Sequence, residues 1–146
     1  MKIFLVDDSM QVVERLKAML ALLPGIEVIG SATDLPEALH SIRTARPDVV
    51  LLDLRLPSGS GMQVLQMIKN EKLGTIVVVL TNYAFPQYRK RCEEAGAYAF
   101  LDKSRDFTAV PQVLRALADL HNQARGPFPP QDLTSPTEPK VRVGSR

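Results

Sequence analysis

Five short apolar runs recur through the first hundred residues, at 3–6, 26–29, 49–52, 76–80 and 97–101. All are too short for helices, and four of the five are rich in β-branched residues. Nearly continuous apolar runs of this kind mark strands whose two faces are both covered by helices. The intervening segments carry helical spacing. Val12, Val13, Leu16, Met19, Leu20 and Leu23 form the first set, and Leu35, Ala38, Leu39 and Ile42 the second. Met62, Leu65 and Ile68 form a third, residues 88–95 a weaker fourth, and Phe107, Val110, Val113, Leu114, Leu117 and Leu120 a fifth. Strict alternation of five strands with five helices implies right-handed crossovers and an α/β fold with a doubly wound, five-stranded parallel sheet.

The punctuation agrees. Pro24-Gly25 stops the first helix, Asp34 with Glu37 three residues on resembles a capping box for the second, and Gly96 suits the left-handed position after the fourth. The periodic pattern ends near His121, so residues 1–121 are expected to form one domain. Residues 122–146 hold 5 of the 11 prolines and no periodic apolar set. They are expected to be a flexible, Pro-rich tail, because they cannot bury enough surface to offset the entropy of ordering.

Charge and cysteine usage exclude several classes. Residues 1–121 carry 14 Lys and Arg against 14 Asp and Glu, and the net charge of +2 comes from the tail, with 4 against 2. A neutral body has no basic footprint for phosphate backbones, so direct nucleic-acid binding is not expected. The single cysteine, Cys92, excludes an internal disulfide, and with only His40 and His121 beside it a Cys/His zinc site fails on ligand count. No stretch approaches the ~18 apolar residues of a membrane helix. A reducing, cytoplasmic setting without a membrane partner is the expectation.

In open α/β sheets, ligands bind beyond the carboxyl ends of the strands. Asp7 and Asp8 follow the first apolar run, Asp53 the third, Thr81 the fourth, and Asp102 and Lys103 the fifth. Taken singly, each has an ordinary role. Asp8 or Ser9 could cap a helix, Asp53 could serve a turn, Thr81 could cap the fourth helix, and a lone lysine is usually solvated. Together they deliver complementary groups from four strand ends. Two like charges about 4 Å apart repel by roughly 4 kcal/mol at an effective dielectric of about 20, so clustered carboxylates need a cation. Lys103 supplies one charge, and the remaining deficit suits Mg²⁺ with oxygen ligands. Such a metal, with a lysine and a hydroxyl, can hold a phosphoryl group while a carboxylate attacks it.

The ordered set Phe4-Leu5-Val6-Asp7-Asp8, Val50 through Pro57 followed by Gly61, Leu80-Thr81, Gly96-Ala97 and Phe100-Leu101-Asp102-Lys103 resembles the receiver domains of two-component response regulators, of chemotaxis-regulator type. The resemblance runs from Met1 to about His121. It implies a flavodoxin-like strand order 2-1-3-4-5. It implies that Asp53 accepts a phosphoryl group from a histidine kinase or phosphotransfer protein. Asp7, Asp8, Asp53 and the Arg55 carbonyl would hold Mg²⁺, Thr81 and Lys103 would assist the chemistry, and Thr81 with Phe100 would form the switch. A downstream protein target, or a second copy forming a homodimer, would meet the fourth helix, fifth strand and fifth helix, where Tyr88, Tyr98 and Arg115 lie.

Departures from the family pattern fall at four positions. Ser104 stands where many receivers have proline, and a cis bond before a non-proline residue costs about 2.5–4 kcal/mol, which leaves the Lys103 loop open. Asn82 follows Thr81 where a small residue is common. Arg55 and Tyr83 occupy the two positions that tune phosphoryl lifetime in the family. Among enzymes, haloacid-type phosphatases need Asp-x-Asp, but Asp53-Leu54-Arg55 places a cation there. A flavodoxin phosphate loop is contradicted by Asp7-Asp8, and a P-loop motif is absent. The chain is therefore expected to be a phosphoacceptor rather than an enzyme. For output, a stand-alone receiver acting through protein partners is favoured over the excised part of a longer DNA-binding regulator, because the tail starts no second periodic pattern.

Overall fold

The computed structural model describes residues 1–125. In chain order they form β1 (Lys2–Val6), α1 (Met10–Leu20), β2 (Glu27–Ala32), α2 (Leu35–Ala45) and β3 (Val49–Leu52). A small hairpin of β4 (Arg55–Leu56) and β5 (Gly59–Ser60) follows, then α3 (Met62–Asn70), β6 (Ile76–Thr81), α4 (Pro86–Glu94) and β7 (Ala99–Asp102). A one-turn helix α5 (Lys103–Asp106) and a 3₁₀ turn (Phe107–Ala109) lead into α6 (Val110–Arg125).

The five long strands pair in parallel in the order β2-β1-β3-β6-β7. With the hairpin set aside this is the expected 2-1-3-4-5. Alternate side chains point to opposite faces. Phe4, Val6, Val50, Leu52, Val77, Val79 and Phe100 pack under α2, α3 and α4, while Ile3, Leu5, Val49, Leu51, Val78 and Leu80 pack under α1 and α6. Because both faces are buried, the central strands lack polar alternation.

The differences from expectation have local causes. β2 runs on through Gly30-Ser31-Ala32, since pairing of Val6 with Ala32 satisfies a backbone whose residues are not apolar enough to announce a strand. β7 begins two residues late, because Gly96, at φ +98°, and the chain after it are still closing α4: the Ala97 amide donates to the Cys92 carbonyl at 2.9 Å. The hairpin has no apolar pattern, and its signal was the turn sequence Pro57-Ser58-Gly59, with Ser58 at φ +69°. The last long helix starts at Val110, after the 3₁₀ turn. It runs to Arg125 rather than stopping near His121, because no breaker appears before Gly126-Pro127. Residues 122–125 of the expected tail are therefore helical, and the remainder lies outside the described residues.

Candidate functional site

The caps decide which polar groups remain for chemistry. Ser9 caps α1, its Oγ accepting from the Val12 amide at 3.3 Å, so the Asp8 carboxylate is not spent on that helix. Asp34 caps α2 by accepting from the Glu37 amide at 2.9 Å, and Glu37 Oε1 accepts from the Thr33 amide at 3.2 Å. α4 is entered through Phe85 and Pro86, four and five residues past Thr81, so Thr81 is not a helix cap. Its Oγ instead accepts from the Tyr83 amide at 3.1 Å.

The sheet then draws the strand ends together. The Asp53 amide donates to the Val6 carbonyl at 2.9 Å, and the Asp7 amide to the Ala32 carbonyl at 3.1 Å, so the ladders continue one residue beyond the assigned strands. Gly61 holds the other side. Its amide donates to the Leu54 carbonyl at 2.7 Å, and a Cβ there would sit 2.4 Å from the Asp53 carbonyl oxygen. Only glycine lets the start of α3 approach the Asp53 backbone this closely.

Lys103 reaches back from α5 between two carboxylates, 2.7 Å from Asp7 Oδ2 and 2.8 Å from Asp53 Oδ2. All three side chains are almost fully buried. The loop achieves this with trans peptide bonds throughout. Asp102 does not join the cluster: its Oδ1 accepts from the Ser104 amide at 2.9 Å and from the Ser104 hydroxyl at 2.7 Å, capping α5. The serine where proline is common thus anchors the loop that aims Lys103.

Burial pushes the Asp7 carboxyl above its ordinary value, and the hydrogen bonds from Lys103 and from the Ser9 amide only partly offset this. Burial alone would lower the Lys103 ammonium. The combined hydrogen bonds and charges of Asp53 and Asp7 outweigh it and push Lys103 up. The cluster therefore holds one secured cation against several anionic groups.

Asp7, Asp8 and Asp53 each offer a carboxylate oxygen within 4.8 Å of the others, with Asp8 exposed to solvent. One ammonium does not neutralise three carboxylates, and each oxygen can accept a further partner, so the donor set fits a hard divalent cation. On Asp53, Oδ2 is held by Lys103, while among the described residues Oδ1 accepts only from the Arg55 amide, at a long 3.5 Å. Arg55 lies at the start of the hairpin with its guanidinium 4.7 Å from the centre of the Tyr83 ring. The two positions linked to phosphoryl lifetime thus touch each other, a contact that spacing alone does not reveal.

Phe100 is buried on the same sheet face as Val79, its partner on β6, with Thr81 two residues further along that strand. Arg89, which sequence reasoning missed, stacks on the Phe100 ring at 4.8 Å and donates to the Phe100 carbonyl at 3.2 Å. A basic residue at a half-buried position of α4 was the available signal. Of the expected contact residues, Tyr98 and Arg115 are exposed and Tyr88 is half-buried. Among the described residues no helix is long and apolar enough to cross a membrane.

Known proteins resemble this chain in sequence and fold. Residues 3–115 match the family model for the response regulator receiver domain. The chain is 31% identical over 114 residues to the transcriptional regulatory protein YvfU of Bacillus subtilis, covering 78% of this chain and 57% of that protein. It is 32% identical over 143 residues to the DNA-binding transcriptional activator DevR/DosR of Mycobacterium tuberculosis, covering 90% of this chain and 66% of that one. The chain thus spans somewhat over half the length of these curated relatives. The crystal structure of a LuxR-family two-component response regulator from Aurantimonas superposes with a TM-score of 0.75 at 29% identity, covering 81% of this chain and 84% of that chain. With a family model matching residues 3–115 of a chain whose sheet has this order, the protein belongs to the receiver domains of two-component response regulators.

Proposed function

We propose that Asp53 is the phosphoacceptor and that Asp7, Asp8, Thr81 and Lys103 serve its phosphorylation. The observation that carries this reading is the unequal treatment of the two Asp53 oxygens. Lys103 pins Oδ2 at 2.8 Å and orients the carboxylate, which leaves Oδ1 to attack. Attack on the phosphorus of a kinase phosphohistidine forms an O–P bond and breaks the P–N bond. The imidazole departs with a proton, and the product is an acyl phosphate. Asp7, Asp8, Asp53 and the Arg55 carbonyl would hold Mg²⁺, which when bound supplies charge neutralisation for the phosphoryl oxygens. Thr81 donates a hydrogen bond from its hydroxyl to the acyl phosphate, its oxygen acting among the described residues as an acceptor from the Tyr83 amide.

Signal passes by a population shift. Turning Thr81 toward the phosphoryl group alters the loop before α4, and Phe100, next to it on the same face, repacks and remodels the surface of α4, β7 and α6. A protein target, or a second copy of this chain, reads that surface through Tyr88, Tyr98 and Arg115.

Intact mass after incubation of the full chain with Mg²⁺ and phosphoramidate, or with a phosphorylated histidine kinase, tests the chemistry. One phosphoryl group is expected on wild type and none on Asp53→Asn, and unchanged labelling of that variant refutes the assignment. Thr81→Ala is expected to accept phosphate yet show smaller phosphorylation-dependent chemical shifts around Phe100 and α4. A full response in that variant refutes the switch route.

A further inference from the structure

We propose that the seam between α3 and α4 is a docking groove for an acidic, amphipathic helical segment of a protein partner. The trough borders the site above at Arg55 and Tyr83 and meets the face of α4, β7 and α6 at Tyr88, but most of its length runs along α3, away from both. α3 packs more closely on α2 than on α4, and the space left beside α4 is a chain of three adjoining cavities of about 410, 490 and 310 Å³. Met62 and Arg91 are shared by the first two, and Lys69 and Ala95 by the second and third, so the three form one trough.

Its chemistry is one-sided. Arg55, Arg91, Lys69 and Lys72 line it, and Glu94 is the one carboxylate residue in the lining among the described residues. The body of the chain is neutral, so this is a local concentration of positive charge rather than a share of a basic protein. Between the cations the wall is apolar and within reach of solvent: Met62, Tyr83, Tyr88 and Ala95 are half-buried. A charged rim over an apolar wall calls for a ligand with carboxylates on one face and aliphatic side chains on the other. That describes an amphipathic helix laid into a groove, anchored at i, i+3, i+4 and i+7. α3 is 9 residues long, so such a helix needs about two to three turns to span it. Single-stranded nucleic acid meets the charge requirement and could stack on Tyr83 and Tyr88, but both rings lie at the Arg55 end of the trough, and the rest of the wall, with Met62, Ala95 and the carboxylate of Glu94, offers bases no aromatic face.

Titration of the ¹⁵N-labelled full chain tests this. The probe is a capped 16-residue peptide with leucine at i, i+3, i+4 and i+7 and glutamate elsewhere. The controls are a scrambled peptide of the same composition and an oligo-dT strand. Expected are amide shifts confined to residues 54–75 and 83–96, with Kd raised at least tenfold by Lys69→Glu with Lys72→Glu. Arg91→Glu on the other wall is expected to act in the same direction. All three positions are exposed. Should Arg91→Glu melt early, the lysine pair decides alone. Absence of binding at millimolar peptide, shifts centred on Tyr98 and Arg115, equal binding of the scrambled peptide or oligo-dT, or indifference to charge reversal would each overturn the proposal.

Discussion

Two cation–carboxylate contacts of the same length do opposite work in this molecule. Lys103 meets Asp7 at 2.7 Å under the carboxyl edge of the sheet, and Arg43 meets Glu71 at 2.7 Å between α2 and the end of α3. Arg43 is the better-formed partner, with both Nε and Nη2 on the carboxylate, but it and Glu71 stand in solvent. Its hydrogen bond, followed by its charge, holds the Glu71 carboxyl below its ordinary value. Burial, by contrast, holds Asp7 above its ordinary value even with Lys103 in contact. Geometry therefore does not set the worth of an ion pair. Water does, and the proposed phosphoacceptor site is built where water has been withdrawn and the charge balance is incomplete.

Removing one partner from each pair gives the largest contrast. Lys103→Met leaves Asp7 and Asp53 buried without a cation, and urea unfolding in chelator is expected to show a loss of about 3–5 kcal/mol. A neutral result would mean that one of the carboxylates is protonated in the native state.

Metal is the next lever. Mg²⁺ in hundredfold excess over its Kd is expected to stabilise wild type by about 2.7 kcal/mol, an effect that chelator removes. Asp8→Asn, which deletes the solvent-facing member of the acid cluster, is expected to abolish most of that gain. An unaltered Mg²⁺ response in Asp8→Asn would place the cation elsewhere.

Acid titration separates the pairs by sign. Asp7 has a raised folded pKa, so its contribution is fully present below its unfolded value of 3.8 and is lost as pH rises through the folded value. Glu71 has a lowered one, so its contribution is present above 4.5 and is lost as pH falls through the folded value. Metal-free stability curves are therefore expected to steepen in acid for Asp7→Asn and to flatten for Glu71→Gln. Shifts of the same sign in both variants would dissolve the contrast.

The smallest effect belongs to Arg43→Met, whose melting temperature is expected to stay close to wild type and to become indistinguishable from it in high salt. A salt-resistant loss would show that the paired hydrogen bonds of Arg43 to Glu71, rather than screened charge, join α2 to α3.

Much of the site was legible because strand ends announce themselves. An apolar run that stops at a carboxylate, as three of the five do, needs only local information, and five apolar runs separated by helical spacing leave few topologies. Asp7, Asp8, Asp53, Thr81 and Lys103 could be read this way. Whether a polar residue at a strand end turns inward could not. Asp102 follows its strand in the same manner as Asp53, yet it caps α5 through Ser104 while Asp53 is buried under Lys103. The hairpin after Asp53 escaped because its strands are two residues each, held by turn geometry rather than apolar periodicity.

Sequence by itself determined the alternation of strands and helices, the burial of both sheet faces and the chemical types at the carboxyl edge, since each follows from side-chain patterning within one element. Tertiary structure decided which charges meet. The Lys103 to Asp53 contact spans 50 positions and the stack of Arg89 on Phe100 joins α4 to β7. The open seam between α3 and α4 depends on how two helices lean on one sheet. Those are distances between elements, and no periodicity within an element encodes them.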